Sequence, residues 1–274
     1  MTLTQWNFEQ LELGEGARWI NDRLVVVDLL AGRVLETPGT VPAPFQEIAK
    51  LDVPVGAVAP TSNGLMAAKG TGAGLLDGPT LESFAGAGLR VNDAAADPAG
   101  RFWFTTMAYD TEPGRGSLHR LGAPAPVLKG LTIPNGPAFS HDGKLMYLAD
   151  SARGLVHRFD VNADGDLSGR RTFLHLPRQT PDGMTTDVTG NVWIAFWGSS
   201  VVRRYRPDGK LDQEIHLPAR QPTSVCLGGP DLSRLFITTA TCGLRRPTLH
   251  DGALFAVDVN IPGRPANAYV PAHS

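Results

Sequence analysis

Four polar residues, Glu15, Asn92, Asn135 and Asp182, stand at the same point of a phrase that recurs along this chain. The full set at that point reads Glu15, Val55, Asn92, Asn135, Asp182 and Thr223. If the phrases are related by rotation about one axis, these positions form a ring beside buried strands. Carboxylates and amides are a costly choice there, because a buried charge without a partner is strongly disfavoured. At about 4 Å and an effective dielectric of about 20, two carboxylates repel by about 4 kcal/mol, so Glu15 facing Asp182 needs a counter-charge. A bound cation supplies it. The donors are oxygens, which suits hard ions such as Ca²⁺, Mg²⁺ or Mn²⁺ better than a structural zinc site. One divalent cation is therefore expected, Ca²⁺ first, with Zn²⁺, Mn²⁺, Mg²⁺ and Fe²⁺ as alternatives. Taken singly, each of these residues also fits a plainer role, bonding to a strand end or capping a turn. Only the shared register sets the ring apart.

The phrase that positions them is a small or polar dipeptide, an alternating apolar segment, a turn ending in Gly, and an apolar or aromatic strand. Asn92-Asp93 leads through Asp97-Pro98-Ala99-Gly100 into Phe102, Trp103 and Phe104. Asn135-Gly136 leads through Ser140-His141-Asp142-Gly143 into Leu145, Met146 and Tyr147, and Asp182-Gly183 through Asp187-Val188-Thr189-Gly190 into Val192, Trp193 and Ile194. Weaker copies begin at Glu15-Gly16, Val55-Gly56 and Thr223-Ser224. Each inner turn offers a residue tolerant of positive φ where a tight hairpin requires one. Further strands are expected at Gly116–Leu121 and Gly252–Val257. Starts spaced about 40 residues apart match the period of four-stranded propeller blades, and six copies use nearly the whole chain. The expected fold is all-β, a six-bladed β-propeller of four-stranded antiparallel blades, forming a single domain over residues 1–274. A β-sandwich is the competing all-β fold, but it does not explain the repeat.

The totals agree with such a fold. The chain has 274 residues, 42% of them hydrophobic, with 31 Gly and 22 Pro, a density of turn formers that suits many short strands. Lys+Arg 25 against Asp+Glu 27 gives a net charge of -2, which calls for neither nucleic acid nor an anionic membrane. No apolar run approaches the roughly 20 residues of a bilayer span, and Met1–Gln10 lacks a secretory pattern, so a cytoplasmic protein is expected. The two cysteines, Cys226 and Cys242, are too few for a disulfide scaffold and not paired closely enough for zinc, though a single bridge between them stays open. Cys226 reads as an inert core thiol. There is no Gly-x-Ser-x-Gly elbow, no His-Glu-x-x-His helix and no phosphate-binding loop. The seven His are scattered, and His141 falls in a solvated turn.

At several points the sequence resembles the senescence marker protein (regucalcin), gluconolactonase and luciferin-regenerating enzyme family of sugar lactonases. The matching phrases are Leu13-Gly14-Glu15-Gly16 before Trp19, Arg90-Val91-Asn92-Asp93 with Thr106-Met107, Pro134-Asn135-Gly136 with Asp150-Ser151, and Pro181-Asp182-Gly183-Met184 with Trp193. They run in order from about Glu12 to Tyr269. The resemblance implies a metal held by Glu15, Asn135 and Asp182, and substrate bound by Arg90 and Asn92. An acidic residue after Thr-Met, here Asp110, would contact sugar hydroxyls. Departures are Asp110 itself, where some relatives have Glu, and Arg18, which reads as a surface residue. Cys242 stands in a mouth loop where relatives often carry a charge.

Lactone hydrolysis needs a polarised carbonyl, an activated water and a stabilised oxyanion. A cation at Glu15, Asn135 and Asp182 would polarise the carbonyl, and Asp182 is the expected general base. Arg90 offers a rigid fork of donors and Asn92 a donor and acceptor, both suited to a polyol. The expected activity is metal-dependent hydrolysis of an aldonolactone to its aldonic acid. Its partner is a small-molecule sugar lactone, and the protein is a monomer or weak homodimer. Two other readings use the same ring: a phosphotriesterase-like hydrolase, and a metal-binding propeller scaffold without turnover.

Overall fold

The computed structural model describes residues 2–84 and 86–271. Six antiparallel four-stranded sheets account for all of the strands among them. β1 is Leu3–Asn7. The first blade holds β2 (Gly14–Ile20), β3 (Arg23–Asp28), β4 (Arg33–Thr37) and β5 (Gln46–Lys50). The second holds β6 (Val55–Thr61), β7 (Gly64–Lys69), β8 (Gly72–Leu75) and β9 (Thr80–Ser83). The third holds β10 (Leu89–Ala96), β11 (Phe102–Ala108), β12 (Gly116–Arg120) and β13 (Leu128–Leu131). The fourth holds β14 (Pro134–Phe139), β15 (Leu145–Asp150), β16 (Leu155–Val161) and β17 (Leu167–His175). The fifth holds β18 (Thr180–Thr186), β19 (Val192–Trp197), β20 (Val201–Tyr205) and β21 (Leu211–His216). The sixth holds β22 (Pro222–Gly228), β23 (Arg234–Thr239) and β24 (Leu254–Asp258), completed on its outer edge by β1.

Each inner strand touches the next, β2 with β6, then β10, β14, β18 and β22, and β22 touches β2 again. The molecule is thus a closed six-bladed β-propeller, and the sandwich is excluded. Closure depends on β1, which pairs antiparallel with β24 through Leu3 and Val257 and so ties the two ends of the chain into one sheet. That strand lies within Met1–Gln10, a stretch to which the sequence pattern assigns no element.

The core is divided among the gaps between blades. Six clusters of buried apolar side chains each join residues of two neighbouring blades, as where Trp193 and Val202 meet Val225 and Phe255. Trp103 and Trp193 are fully buried, and burying an apolar side chain of this size contributes about 1.5–3 kcal/mol or more. In the closing gap, Phe236 lies edge-on to Trp6 at 5.5 Å and stacked on Trp19 at 6.0 Å.

The Asp-x-x-Gly turns seen in the sequence also fasten the blades. Asp97 Oδ1 accepts from the Ala99 and Arg101 backbone, and its Oδ2 accepts from Trp103 Nε1 at 3.0 Å. Asp187 does the same for Thr189, Asn191 and Trp193 Nε1, at 3.1 Å for the indole. Gly100 and Gly190 close these turns at φ 85° and 82°, a region that a side chain would strain. Among the described residues the one helical piece is a 3-10 turn at Ser151–Arg153. None is long and apolar enough to cross a membrane.

Both cysteines are free, which closes the option of a Cys226–Cys242 bridge. Cys226 is buried, and burial pushes its thiol up to about 12. Arg18 departs from the surface reading. Its side chain is only 13% exposed and lies in the channel, paired with the buried Asp93 at 3.4 Å.

Candidate functional site

The ring positions owe their placement to a defect repeated in every blade. All six pairings of first with second strand shift register on the inner strand, between Glu15 and Arg18, Val55 and Ala57, Val91 and Ala94, Asn135 and Ala138, Pro181 and Met184, and Pro222 and Val225. A bulge turns a side chain away from the pleat, and six at one level give the axis a band of its own. The residue after each ring position packs against the next blade. A Cβ on Gly16 would stand 2.8 Å from Gly56 O, and one on Gly56 would stand 2.6 Å from Asn92 O, so glycine is what lets the inner strands approach. Asp93 and Ser224 break that glycine pattern.

Off the axis, two carboxylates hold the entries to the inner strands. Asp28 accepts from the Leu13 and Glu12 backbone at 2.9 and 3.2 Å, fixing the approach to Glu15. Asp150 accepts from Thr132 and Ile133 at 3.1 and 3.2 Å, fixing the approach to Asn135.

At the band itself the side chains form a directed chain across three blades. Arg90 donates to Asn92 Oδ1 at 2.8 Å, and Asn92 Nδ2 donates to Asn135 Oδ1 and to Pro134 O, both at 2.9 Å. Asn135 Nδ2 donates to Ser151 Oγ at 2.9 Å, and Ser151 donates to Pro181 O at 2.6 Å, next to Asp182. The chain fixes the Asn135 amide, because its nitrogen is committed to Ser151. Its oxygen keeps a lone pair beyond the one used by Asn92.

The carboxylates complete the picture. Glu15, Asp93 and Asp182 are all buried. Burial, then the charges of Asp182 and Asp93, hold the Glu15 carboxyl well above the usual carboxylate range. Burial and the charge of Asp93 do the same to Asp182. Arg90 is pulled down by burial, against the charges of Glu15, Tyr109, Cys242 and Asp182. Asp182 Oδ1 is buried and has no hydrogen-bond partner. Buried polar atoms are nearly always satisfied, so an orphaned carboxylate oxygen facing another carboxylate is a place for a cation.

The donor set therefore fits a hard divalent ion: two carboxylates, one of them with an oxygen that has no partner, and an oriented amide oxygen. Among the described residues no three His, Cys, Asp or Glu side chains are grouped to hold a metal, and the set here relies on an amide as its third member.

The structure thus places Glu15 within the field of Asp182 and Asp93 and joins Arg90, Asn92 and Asn135 by hydrogen bonds. Asp110 shares no hydrogen bond with them. That residue is exposed, and its Oδ1 accepts from Glu112 N at 3.1 Å, capping its own turn. Three residues that the sequence reading gave no site role stand at the band or its mouth. Asp93 adds a third carboxylate, and Ser151 fixes the Asn135 amide. Tyr109, 56% exposed, stands near Arg90 as Cys242 does. A non-glycine residue at Asp93, where four other copies have Gly, was the available signal for the first. The Asp150-Ser151 pair was the signal for the second.

The profile of the SMP-30/gluconolactonase/LRE-like region matches residues 13–241. The chain belongs to this family. Among SMP-30/gluconolactonase/LRE-like relatives, a pentonolactonase of Haloferax volcanii is 34% identical, over 97% of this chain and 97% of its own length. A 6-deoxy-6-sulfogluconolactonase of Pseudomonas putida is 36% identical, over 64% of this chain and 63% of its own. Of solved structures, a calcium-binding regucalcin from Agrobacterium tumefaciens superposes with a TM-score of 0.87 at 25% identity, covering 97% of this chain and 99% of that one.

Proposed function

We propose that this propeller hydrolyses a sugar lactone to its aldonic acid, with a divalent cation held by Glu15, Asn135 and Asp182. The observation that carries the reading is the buried, unpartnered Oδ1 of Asp182 beside a second buried carboxylate. The pentonolactonase and sulfogluconolactonase relatives support the substrate class, and the calcium-binding neighbour supports an ion such as Ca²⁺. When bound, the cation supplies Lewis-acid polarisation of the lactone carbonyl, worth several kcal/mol in the transition state.

The chain's own residues do the rest. Asp182 takes a proton from the attacking water as its oxygen bonds to the carbonyl carbon, and returns it to the ring oxygen as the ester C–O bond breaks. Products are a carboxylic acid and a free hydroxyl. Arg90 uses one nitrogen on Asn92 and Val91 O, which leaves further N–H groups of its fork for substrate oxygens. Both Asn92 amide hydrogens are already committed, so Asn92 serves substrate only as an acceptor for a hydroxyl. Asp110, whose Oδ1 is occupied within its own turn, has one oxygen left to meet a sugar hydroxyl.

The test is lactone opening, followed by acid release, on glucono- and xylonolactone before and after chelation. Activity lost on verified metal removal and restored by Ca²⁺, Mn²⁺ or Zn²⁺ is expected. Activity unchanged in the metal-free protein overturns the reading.

A further inference from the structure

The band of acids occupies one side of the six bulges, and a separate cavity occupies the other. It has a volume of about 390 Å³ and is lined by residues of all six inner strands beyond their bulges, from Trp19 on β2 to Cys226 on β22. The segment after β24 closes it. Ala266 N bonds to Trp19 O, Asn267 Nδ2 to Ala96 O, Tyr269 N to Pro60 O and Val270 N to Gly100 O, so this stretch runs across three blades. The volume lies within the range of about 300–1,000 Å³ typical of small-molecule pockets.

Its charge is the opposite of the band's. The lining carries two guanidinium groups, Arg18 and Arg264, and the imidazole of His141, with no Asp or Glu. Arg18 donates to Ala17 O at 2.7 Å, to Asp93 at 3.4 Å and to Ala94 O. An arginine has five N–H groups, so two of those on Arg18 have no acceptor among the described residues, and its other three tie it to the channel wall. Arg264 has His141 Nε2 as its hydrogen-bond partner, at 2.6 Å, and pairs with no carboxylate among the described residues. Apolar walls from Trp19, Ala95, Phe139 and Met184 surround these donors.

We infer that this lower cavity is a binding site for a small organic carboxylate, held by Arg18 and Arg264 with its body against the Trp19 and Ala95 walls. A planar fork of N–H groups matches a carboxylate or a phosphate bidentately, and the apolar walls beside the two guanidinium groups favour an organic acid over inorganic phosphate. The site stands on its own lining and is independent of the reaction proposed above. A hydroxylated acid and an aromatic acid share the carboxylate, and they differ in what they ask of the walls.

The test is calorimetric titration of the chelated full-length protein with gluconate and, separately, with benzoate, using benzyl alcohol as the uncharged control. Chelation removes the cation through which either acid could bind at the axial band. Saturable binding of at least one acid and none of benzyl alcohol is expected. Arg264→Gln, an exposed position with no hydrogen-bond partner other than His141 among the described residues, should weaken binding by about 10-fold or more, the loss of one charge-assisted hydrogen bond. Ala95→Leu should do the same by filling the cavity, while Glu15→Gln should leave binding unchanged. Gluconate binding more tightly points to a polyol acid as the natural ligand, and benzoate to an apolar one. Absence of saturable binding by either acid, equal binding by Arg264→Gln, or loss in Glu15→Gln would each overturn the site and leave a solvent-filled channel end.

Discussion

Buried acids in this propeller fall into two groups that differ in what surrounds them. Away from the axis, Asp28, Asp97, Asp150, Asp187 and Asp251 each accept hydrogen bonds from backbone N–H groups. Asp187 also meets Arg204 at 2.7 Å with both side chains buried. For Asp251, burial works to raise the carboxyl, but the Arg220 guanidinium and the backbone of Arg220 and Thr248 hold it well below the usual range. At the axis the balance reverses. Glu15 and Asp182 face other carboxylates and are held high. Among the blade acids Asp150 Oδ2 also lacks a hydrogen bond but stands 3.5 Å from Arg153, whereas Asp182 Oδ1 has no hydrogen-bond partner and feels a neighbouring carboxylate instead, and such an uncompensated acid kept in a folded chain points to a ligand.

The largest effects should separate the two groups by sign. Asp182→Asn should lower lactone turnover by about 10²–10⁴-fold, the usual worth of a general base, while raising the thermal midpoint of the chelated protein by relieving repulsion. Asp187→Asn should do the opposite. It leaves the buried Arg204 with Asp212 alone as its carboxylate partner, and the lost charge-assisted bonds should cost about 1–3 kcal/mol, readable by urea unfolding, with turnover of the folded fraction changed little. If the two variants behave alike, the division between the groups fails.

A middle-sized effect is expected at Ser151, which holds the Asn135 amide but would not touch the ion. Ser151→Ala should weaken cation affinity by about 10-fold, as removal of a partner that orients a ligand does. Its stability cost should be nearer 1 kcal/mol. Equal losses of affinity in Ser151→Ala and Asp182→Asn would dissolve the distinction between holding and orienting.

The pH dependence of the chelated protein carries the same contrast. Burial and neighbouring charge raise Glu15 and Asp182 above their ordinary values of 4.5 and 3.8. The native state then keeps protons that the unfolded chain releases, so stability falls as pH rises from those ordinary values toward the raised native ones. Asp182→Asn should flatten that slope in a series of thermal midpoints, and an unchanged slope contradicts the assignment.

The smallest effect near neutrality belongs to His119, stacked on Phe104 at 4.8 Å and bonded to Thr106. Burial, then Lys129, lowers it from 6.5 to about 4. Here the unfolded chain binds the proton first, so its contribution is lost as pH falls from 6.5 toward 4. His119→Gln should remove that part of the acid loss and leave the behaviour above pH 7 unchanged.

Much of this was legible in the sequence because a propeller repeats one local pattern. The turns at Asp97 and Asp187 use side chains that bond within their own few residues, so their spacing revealed both the blades and the level at which Glu15, Asn135 and Asp182 sit. What escaped depends on contacts far apart in the chain. β1 is recognisable as a strand only through its pairing with β24. Arg18 is drawn inside by Asp93, 75 positions away. Asp110 matches a family position by count, yet its side chain turns back to cap Glu112 N, a choice made by a loop whose Thr111 lies at φ 58°.

The central claim is that the axial carboxylates are tolerated because a cation joins them. Calorimetric titration of Ca²⁺ into the chelated chain tests it most directly, with Asp182→Asn and Asp187→Asn as the paired variants. A single saturable site, abolished in Asp182→Asn and retained in folded Asp187→Asn, is predicted. The absence of binding by the parent chain to Ca²⁺ and, in the same titration, to Mn²⁺ and Zn²⁺, or undiminished binding by Asp182→Asn, would contradict it.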